Sequence, residues 1–148
     1  MKYSKLNKSS DRGRLIKRLD KMFSQIISLE RGSNCEIHGK ICDRVGNMHI
    51  LSKQAHPRLR FVKENIVRCG WFCGHYWSHH NSDDPRAQFV QKRIIEIYGA
   101  DYKNKLYEIE RFLGQHNSLY LQALEIKFRQ ELEVLNANRI QPHEGREE

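Results

Sequence analysis

No apolar run in this 148-residue chain approaches the length needed to cross a bilayer. Residues 1–8, Met-Lys-Tyr-Ser-Lys-Leu-Asn-Lys, hold no apolar core of signal-peptide length. The expectation is a soluble, intracellular protein. Acidic side chains are short against basic ones, 18 Asp and Glu to 26 Lys and Arg, which speaks against an acidic, self-solvating chain and for a field that attracts polyanions. Proline is rare at 3 residues, so a proline-rich spacer is excluded. Cysteine is also sparse. All four, Cys35, Cys42, Cys69 and Cys73, fall in one stretch, and in an intracellular chain reduced metal ligands are favoured over two disulfides.

The length allows one domain, or one small domain with an appended helical part. The charge is uneven along it: residues 1–100 carry 19 basic and 9 acidic side chains, residues 101–148 carry 7 and 9. The basic part is therefore the part with the cysteines, and nucleic acid is the polyanion it favours, because each neutralised phosphate releases counterions.

Residues 1–10 read as a basic, serine-rich, flexible tail. From Asp11 onward Leu15, Ile16, Leu19, Met22, Phe23, Ile26, Ile27 and Leu29 recur at three- and four-residue steps, with Ser10 or Asp11 to cap and Gly32 to stop an amphipathic helix. Its polar side holds Arg12, Arg14, Lys17, Arg18 and Lys21, a solvated face that is also suited to phosphate. Residues 33–67 hold short apolar pieces, turn residues and Pro57, which suits a small irregular hairpin with His49 on or near its first strand. Residues 70–80 are dense in aromatics and predict a short helix packed on that hairpin, with His75 and His79 one turn apart.

Three further helices are predicted. Asp84-Pro85 starts one that runs to Gly99, a second spans 101–114, and a third spans 118–138 with the stripe Leu121, Leu124, Phe128, Leu132 and Leu135, which is either core or a dimer seam. Residues 139–148 are polar and expected to be disordered. The predicted organisation is a tail (1–10), a metal-stapled module with its leading helix (11–100), a helical extension (101–138) and a second tail (139–148).

Cys35-x2-His38 and Cys69-x3-Cys73 are two soft-ligand pairs at knuckle spacing, the donor set of a tetrahedral structural zinc. Cys42 competes with His38 for a place in that set. Between the pairs stand His49 and Asn65, and after them His75 and His79, with His80 the alternative to His79. Imidazoles and an amide suit a hydrolytic metal centre better than a closed structural one. His49 is the candidate general base because a neutral imidazole takes a proton near physiological pH; the competing reading is a satisfied structural histidine. Trp71 and Trp77 are read as core packing or as platforms for unpaired bases.

Taken in order, these residues resemble the HNH nuclease motif, and within it phage recombination proteins of the NinG type. The likeness rests on a basic helix before the first knuckle, Cys35-Glu-Ile-His-Gly-Lys40, the lone His49, the tripeptide Leu59-Arg60-Phe61, Asn65, and the pair Cys69 and Cys73. It covers about residues 12–100. It implies an α+β, mainly α fold: a small zinc-stabilised ββα-metal module flanked by an N-terminal helix and C-terminal helices. It further implies a metal-dependent DNA endonuclease that hydrolyses phosphodiester bonds on branched recombination intermediates, in the cytoplasm of a bacterial host. In that scheme Cys35, His38, Cys69 and Cys73 hold structural Zn²⁺, His49 is the base, and Asn65 supports it. His75 and His79 hold Mg²⁺ or another divalent ion. Arg58, Arg60, Lys63 and Arg68, with Arg14, Lys17 and Arg18, contact branched or single-stranded DNA, and the C-terminal helices form a homodimer. The chain departs from the pattern at His38, where relatives carry Cys, at the three-residue spacing of the second pair, and at Met48, where many relatives carry a metal ligand. Met48 keeps open a second expectation, a zinc-stabilised DNA-binding protein without catalysis. A protein-binding adaptor is a third.

Overall fold

The computed structural model describes the backbone of residues 4–72 and 83–140 and the side chains of 11–72 and 83–139. The fold is mainly helical α+β: four α-helices and two small antiparallel sheets among the described residues. In chain order these are α1 (Ser4–Arg31), β1 (Asn34–Cys35), β2 (Lys40–Ile41), β3 (Val45–His49), β4 (Ile66–Gly70), α2 (Pro85–Tyr98), α3 (Tyr102–Phe112) and α4 (Ser118–Ile140). The chain divides into two units, Met1–Glu30 with His116–Glu148, and Arg31–Gln115.

In the first unit, α1 starts at Ser4 rather than at the expected Asp11. No proline or glycine interrupts residues 4–12, and Asp11, instead of capping, pairs with Arg14 one turn on. Leu15, Leu19, Phe23, Ile26 and Ile27 are the buried stripe of α1, and Leu121, Leu124 and Phe128 that of α4. Phe23 stacks on Phe128 with ring centroids 5.6 Å apart. Of the predicted α4 stripe, Leu121, Leu124 and Phe128 are core, whereas Leu132 and Leu135 are half-buried. Arg18 Nε donates to Glu125 Oε1 at 3.0 Å, and Arg129 Nη2 donates to the same oxygen at 3.1 Å. The Arg18 hydrogen bond holds the Glu125 carboxyl below the usual carboxylate range.

In the second unit, β3 and β4 form the hairpin in the register Val45↔Gly70, Asn47↔Arg68 and His49↔Ile66. All five residues of β4 are buried, so its sequence, Ile-Val-Arg-Cys-Gly, shows no alternation of apolar and polar residues. The core joins Cys35, Ile37, Met48, Leu51, Leu59, Val67 and Cys69 to Val90 and Ile94 of α2 and Tyr102 and Leu106 of α3. The predicted boundary of α2 is explained by its ends. Asp84 accepts from Arg86 N–H at 2.8 Å, Pro85 occupies the first turn, and Gly99, at φ 90°, closes the helix with its N–H on Ile95 O.

The units do not follow the predicted organisation. The leading helix groups with α4, through contacts such as Phe23 on Phe128, while residues 101–115 group with the hairpin, because Tyr102 and Leu106 enter its core.

Candidate functional site

The first cysteine pair lies on a knuckle. β1 and β2 are two residues each, paired Asn34↔Ile41 and Cys35↔Lys40. The turn between them closes through Gly39 N–H on Cys35 O at 2.7 Å, and Gly39 supplies the φ of 69° that a side chain would resist. This folds Cys35, His38 and Cys42 together, with their donor atoms all within 4.8 Å of one another. His38 Nδ1 and Cys42 Sγ stand 3.5 Å apart. Zinc bonds of about 2.3 Å to sulfur and about 2.0–2.1 Å to nitrogen put the donors of a tetrahedral site about 3.6–3.8 Å apart, so the three fit a zinc-sized cation. Two thiolates and an imidazole are soft to borderline ligands, suited to zinc and poorly suited to magnesium.

Three further contacts hold the knuckle. Phe89 of α2 stacks on the His38 ring at 5.7 Å, Arg93 Nε donates to Ile37 O at 2.9 Å, and Glu36 N–H donates to Arg68 O at 2.7 Å. Cys69, expected in the ligand set, is not in this group. It is buried on β4, where its thiol donates to Met48 Sδ at 3.9 Å. Cys42, the competing ligand in the sequence, stands beside His38 rather than in its place. Cys73, His75, His79, His80 and Trp77 lie outside the described residues.

The second group of expected site residues surrounds the loop end of the hairpin, where residues 50–65 connect β3 to β4. His49 closes β3, half-buried, and its Nε2 lies 3.0 Å from the carbonyl oxygen of Arg60. A carbonyl only accepts, so Nε2 carries the proton and a neutral His49 has its basic lone pair on Nδ1. The Leu59-Arg60-Phe61 tripeptide helps to place that carbonyl: Leu59 and Phe61 are buried on either side, and the half-buried Arg60 guanidinium lies 5.8 Å over the Phe61 ring.

Asn65 is fully buried and clamps the segment between the strands. Its Oδ1 accepts from Leu51 N–H at 2.8 Å, and its Nδ2 donates to Leu51 O at 2.9 Å and Leu59 O at 3.3 Å. It touches the backbone that carries His49 and Arg60 rather than the imidazole itself. Met48, the departure from the family pattern, is buried at 1% exposure in the core, on the opposite strand face from His49.

The basic residues separate by environment. Arg68 does not point at solvent: it is 5% exposed, its Nη1 donates to Asn47 Oδ1 at 2.9 Å, and burial pulls its pKa below the usual arginine value. An interior guanidinium is withdrawn from phosphate contact. Arg14 and Arg18 are exposed but ion-paired to Asp11 and Glu125. Lys17 is exposed, and Arg58, Arg60 and Lys63 are half-buried.

Two supports escaped the sequence reading. Arg31 donates to Ile66 O and Lys63 O, each at 2.7 Å, and Tyr98 Oη donates to Ile66 O at 3.0 Å, gripping the start of β4. Burial raises the Tyr98 pKa, with the Glu36 charge adding to it. His56 Nδ1 lies 2.8 Å from Glu110 Oε2, tying the inter-strand segment to α3. Neither has a local sequence signal, since each partner is more than 30 residues away.

No protein family, curated protein or solved structure matches this chain. Among the described residues, no helix is long and apolar enough to cross a membrane.

Proposed function

We propose that the chain is a metal-dependent DNA endonuclease of the HNH type. Its reaction is phosphodiester hydrolysis, and branched recombination intermediates are the substrate class its resemblance to NinG-type phage proteins suggests. The observation that carries this reading is the His49 Nε2 contact with the Arg60 carbonyl, which puts the ring proton on Nε2 and the basic lone pair on Nδ1. In the reaction, His49 Nδ1 takes a proton from water, the oxygen so activated bonds to phosphorus as the bond to the 3′-oxygen breaks, and the leaving oxygen takes a proton from solvent. Asn65 holds the backbone on which that geometry depends. By resemblance, His75 and His79 would hold a divalent ion, which when bound would supply charge neutralisation at the phosphate. Zinc held at the cysteine knuckle would serve the fold. Arg58, Arg60, Lys63 and Lys17 are the basic side chains offered to the DNA backbone, and pairing of two copies through the C-terminal helices would supply the two active sites a four-way junction requires.

The burial of Met48 favours a second reading, a zinc-stabilised DNA-binding protein that does not cut. Incubation with branched, single-stranded and duplex DNA plus Mg²⁺ or Mn²⁺ separates the two. Nicking that His49→Ala abolishes, with zinc content and DNA affinity retained, supports the nuclease. Salt-dependent binding without nicking supports the second reading, and absence of both sinks each of them, because phosphate contacts make affinity fall steeply with salt.

A further inference from the structure

We infer that the chain's zinc-class cation is held by Cys35 Sγ, His38 Nδ1 and Cys42 Sγ, so that the third protein ligand is Cys42 and Cys69 belongs to the core. This deepens the zinc part of the proposed function and stands whether or not the chain cleaves DNA. Three independent features support it. The donors of Cys35, His38 and Cys42 lie within 4.8 Å of one another, and the 3.5 Å between His38 Nδ1 and Cys42 Sγ is close to the edge of a zinc tetrahedron. All three ligands come from one knuckle, closed by its own strand pairing and glycine turn and stacked on by Phe89. The Cys69 thiol, buried on β4, points to the Met48 thioether, an apolar neighbour of a kind that surrounds packing cysteines rather than ligating ones.

Exposure gives the site a character of its own. Cys35 is buried, Cys42 half-buried and His38 exposed, so the ion would lie at the surface, with the fourth corner of its tetrahedron left to a further donor. Zinc, or cobalt as its spectroscopic substitute, is the ligand class. A hard oxygen-seeking cation is not.

The test is metal content of the full-length protein after dialysis against a competing chelator, for wild type, Cys42→Ser and Cys69→Ala, with circular dichroism on each. Wild type is expected to keep one zinc per chain and Cys69→Ala to keep it too. Cys42→Ser should bind at least about 100-fold more weakly, since partners outside the ligand shell are alone worth about 10–100-fold. Cobalt-loaded wild type and Cys69→Ala should share one thiolate charge-transfer band, diminished in Cys42→Ser. Loss of metal from folded Cys69→Ala, with or without loss from Cys42→Ser, overturns the assignment, as does a folded wild type that binds no zinc. A wild type that holds zinc through Cys42 yet never nicks DNA leaves it intact and sinks only the nuclease.

Discussion

Replacing Asn65 should cost more than any other single polar change in the hairpin unit, and in a way that depends on which atom is lost. Its side chain satisfies Leu51 N–H, Leu51 O and Leu59 O, all in the interior of the unit. Leaving a buried backbone group unsatisfied costs about 1–3 kcal/mol. The N–H and the two carbonyls together put Asn65→Ala at about 3 kcal/mol, allowing for the weak third bond at 3.3 Å. At a urea slope of about 1–3 kcal/mol per M, that lowers the denaturation midpoint by about 1–3 M. Asn65→Asp sharpens the test. The carboxylate still accepts from Leu51 N–H but faces two carbonyl oxygens with no proton to give, whereas the protonated acid donates to one of them. Its folded pKa is therefore raised above the unfolded value of about 3.9. A group raised in this way stabilises below its unfolded pKa and loses that contribution as pH rises through the folded one. The stability gap between Asn65→Asp and wild type should accordingly narrow from pH 7 to pH 4 in urea titrations. An Asn65→Ala loss below about 1 kcal/mol, or a gap that ignores pH, would show that Asn65 is an ordinary turn residue and not the clamp of the inter-strand segment.

Two other expectations concern different parts of the chain. Glu125→Gln removes the carboxylate that Arg18 and Arg129 hold; because its folded pKa is lowered, its contribution, about 0.2–1 kcal/mol for such a pair, is present above the unfolded pKa and disappears as pH falls through the folded one. Urea titrations at pH 6 and pH 3 should show variant and wild type converging in acid, and a constant difference would contradict the pairing. Met48→His introduces the residue type of the HNH motif that the sequence resembles but puts an imidazole into the core beside Cys69, so the protein should lose about 1–3 kcal/mol of stability and its melting temperature should fall, without a gain in Mg²⁺-dependent nicking. A gain in nicking at unchanged stability would show that this position faces the substrate.

The helices were legible because each carries a periodic stripe with end signals: Asp84-Pro85 and Gly99 bound α2, and Leu121, Leu124 and Phe128 mark the buried face of α4. The placement of His49 on a strand was also legible in the sequence order, and Asn65, expected near the same segment, hydrogen-bonds Leu51 there. The cysteine grouping was legible only in part. Pairing Cys35 and His38 with Cys69 relies on spacing along the chain, whereas the grouping with Cys42 depends on β1 and β2, strands of two residues that have no periodicity to reveal them. Arg68 was misplaced for a related reason. A strand buried on both faces offers no alternation from which to tell an inward arginine from an outward one, and its partner Asn47 is set by cross-strand register.

That register links the two halves of the candidate site. Glu36 N–H donates to Arg68 O at 2.7 Å and Glu36 Oε2 accepts from Arg68 N–H at 2.6 Å, so the knuckle grips the strand that pairs with β3. Side chains along a strand alternate between faces, and a slip of one residue between β3 and β4 would turn His49 into the core and Met48 out of it. β4 itself cannot resist such a slip by patterning, since it is buried on both faces. The restraint must come from its neighbours: Arg31 and Tyr98 on Ile66 O at one end, and Glu36 on Arg68 toward the other. A cation held by Cys35, His38 and Cys42 would act on the second of these, since it would fix Cys35 and with it the adjacent Glu36. Its structural role would then be more specific than general stabilisation: it would favour the pairing that leaves His49 at the loop end of the hairpin, within reach of the Arg60 carbonyl.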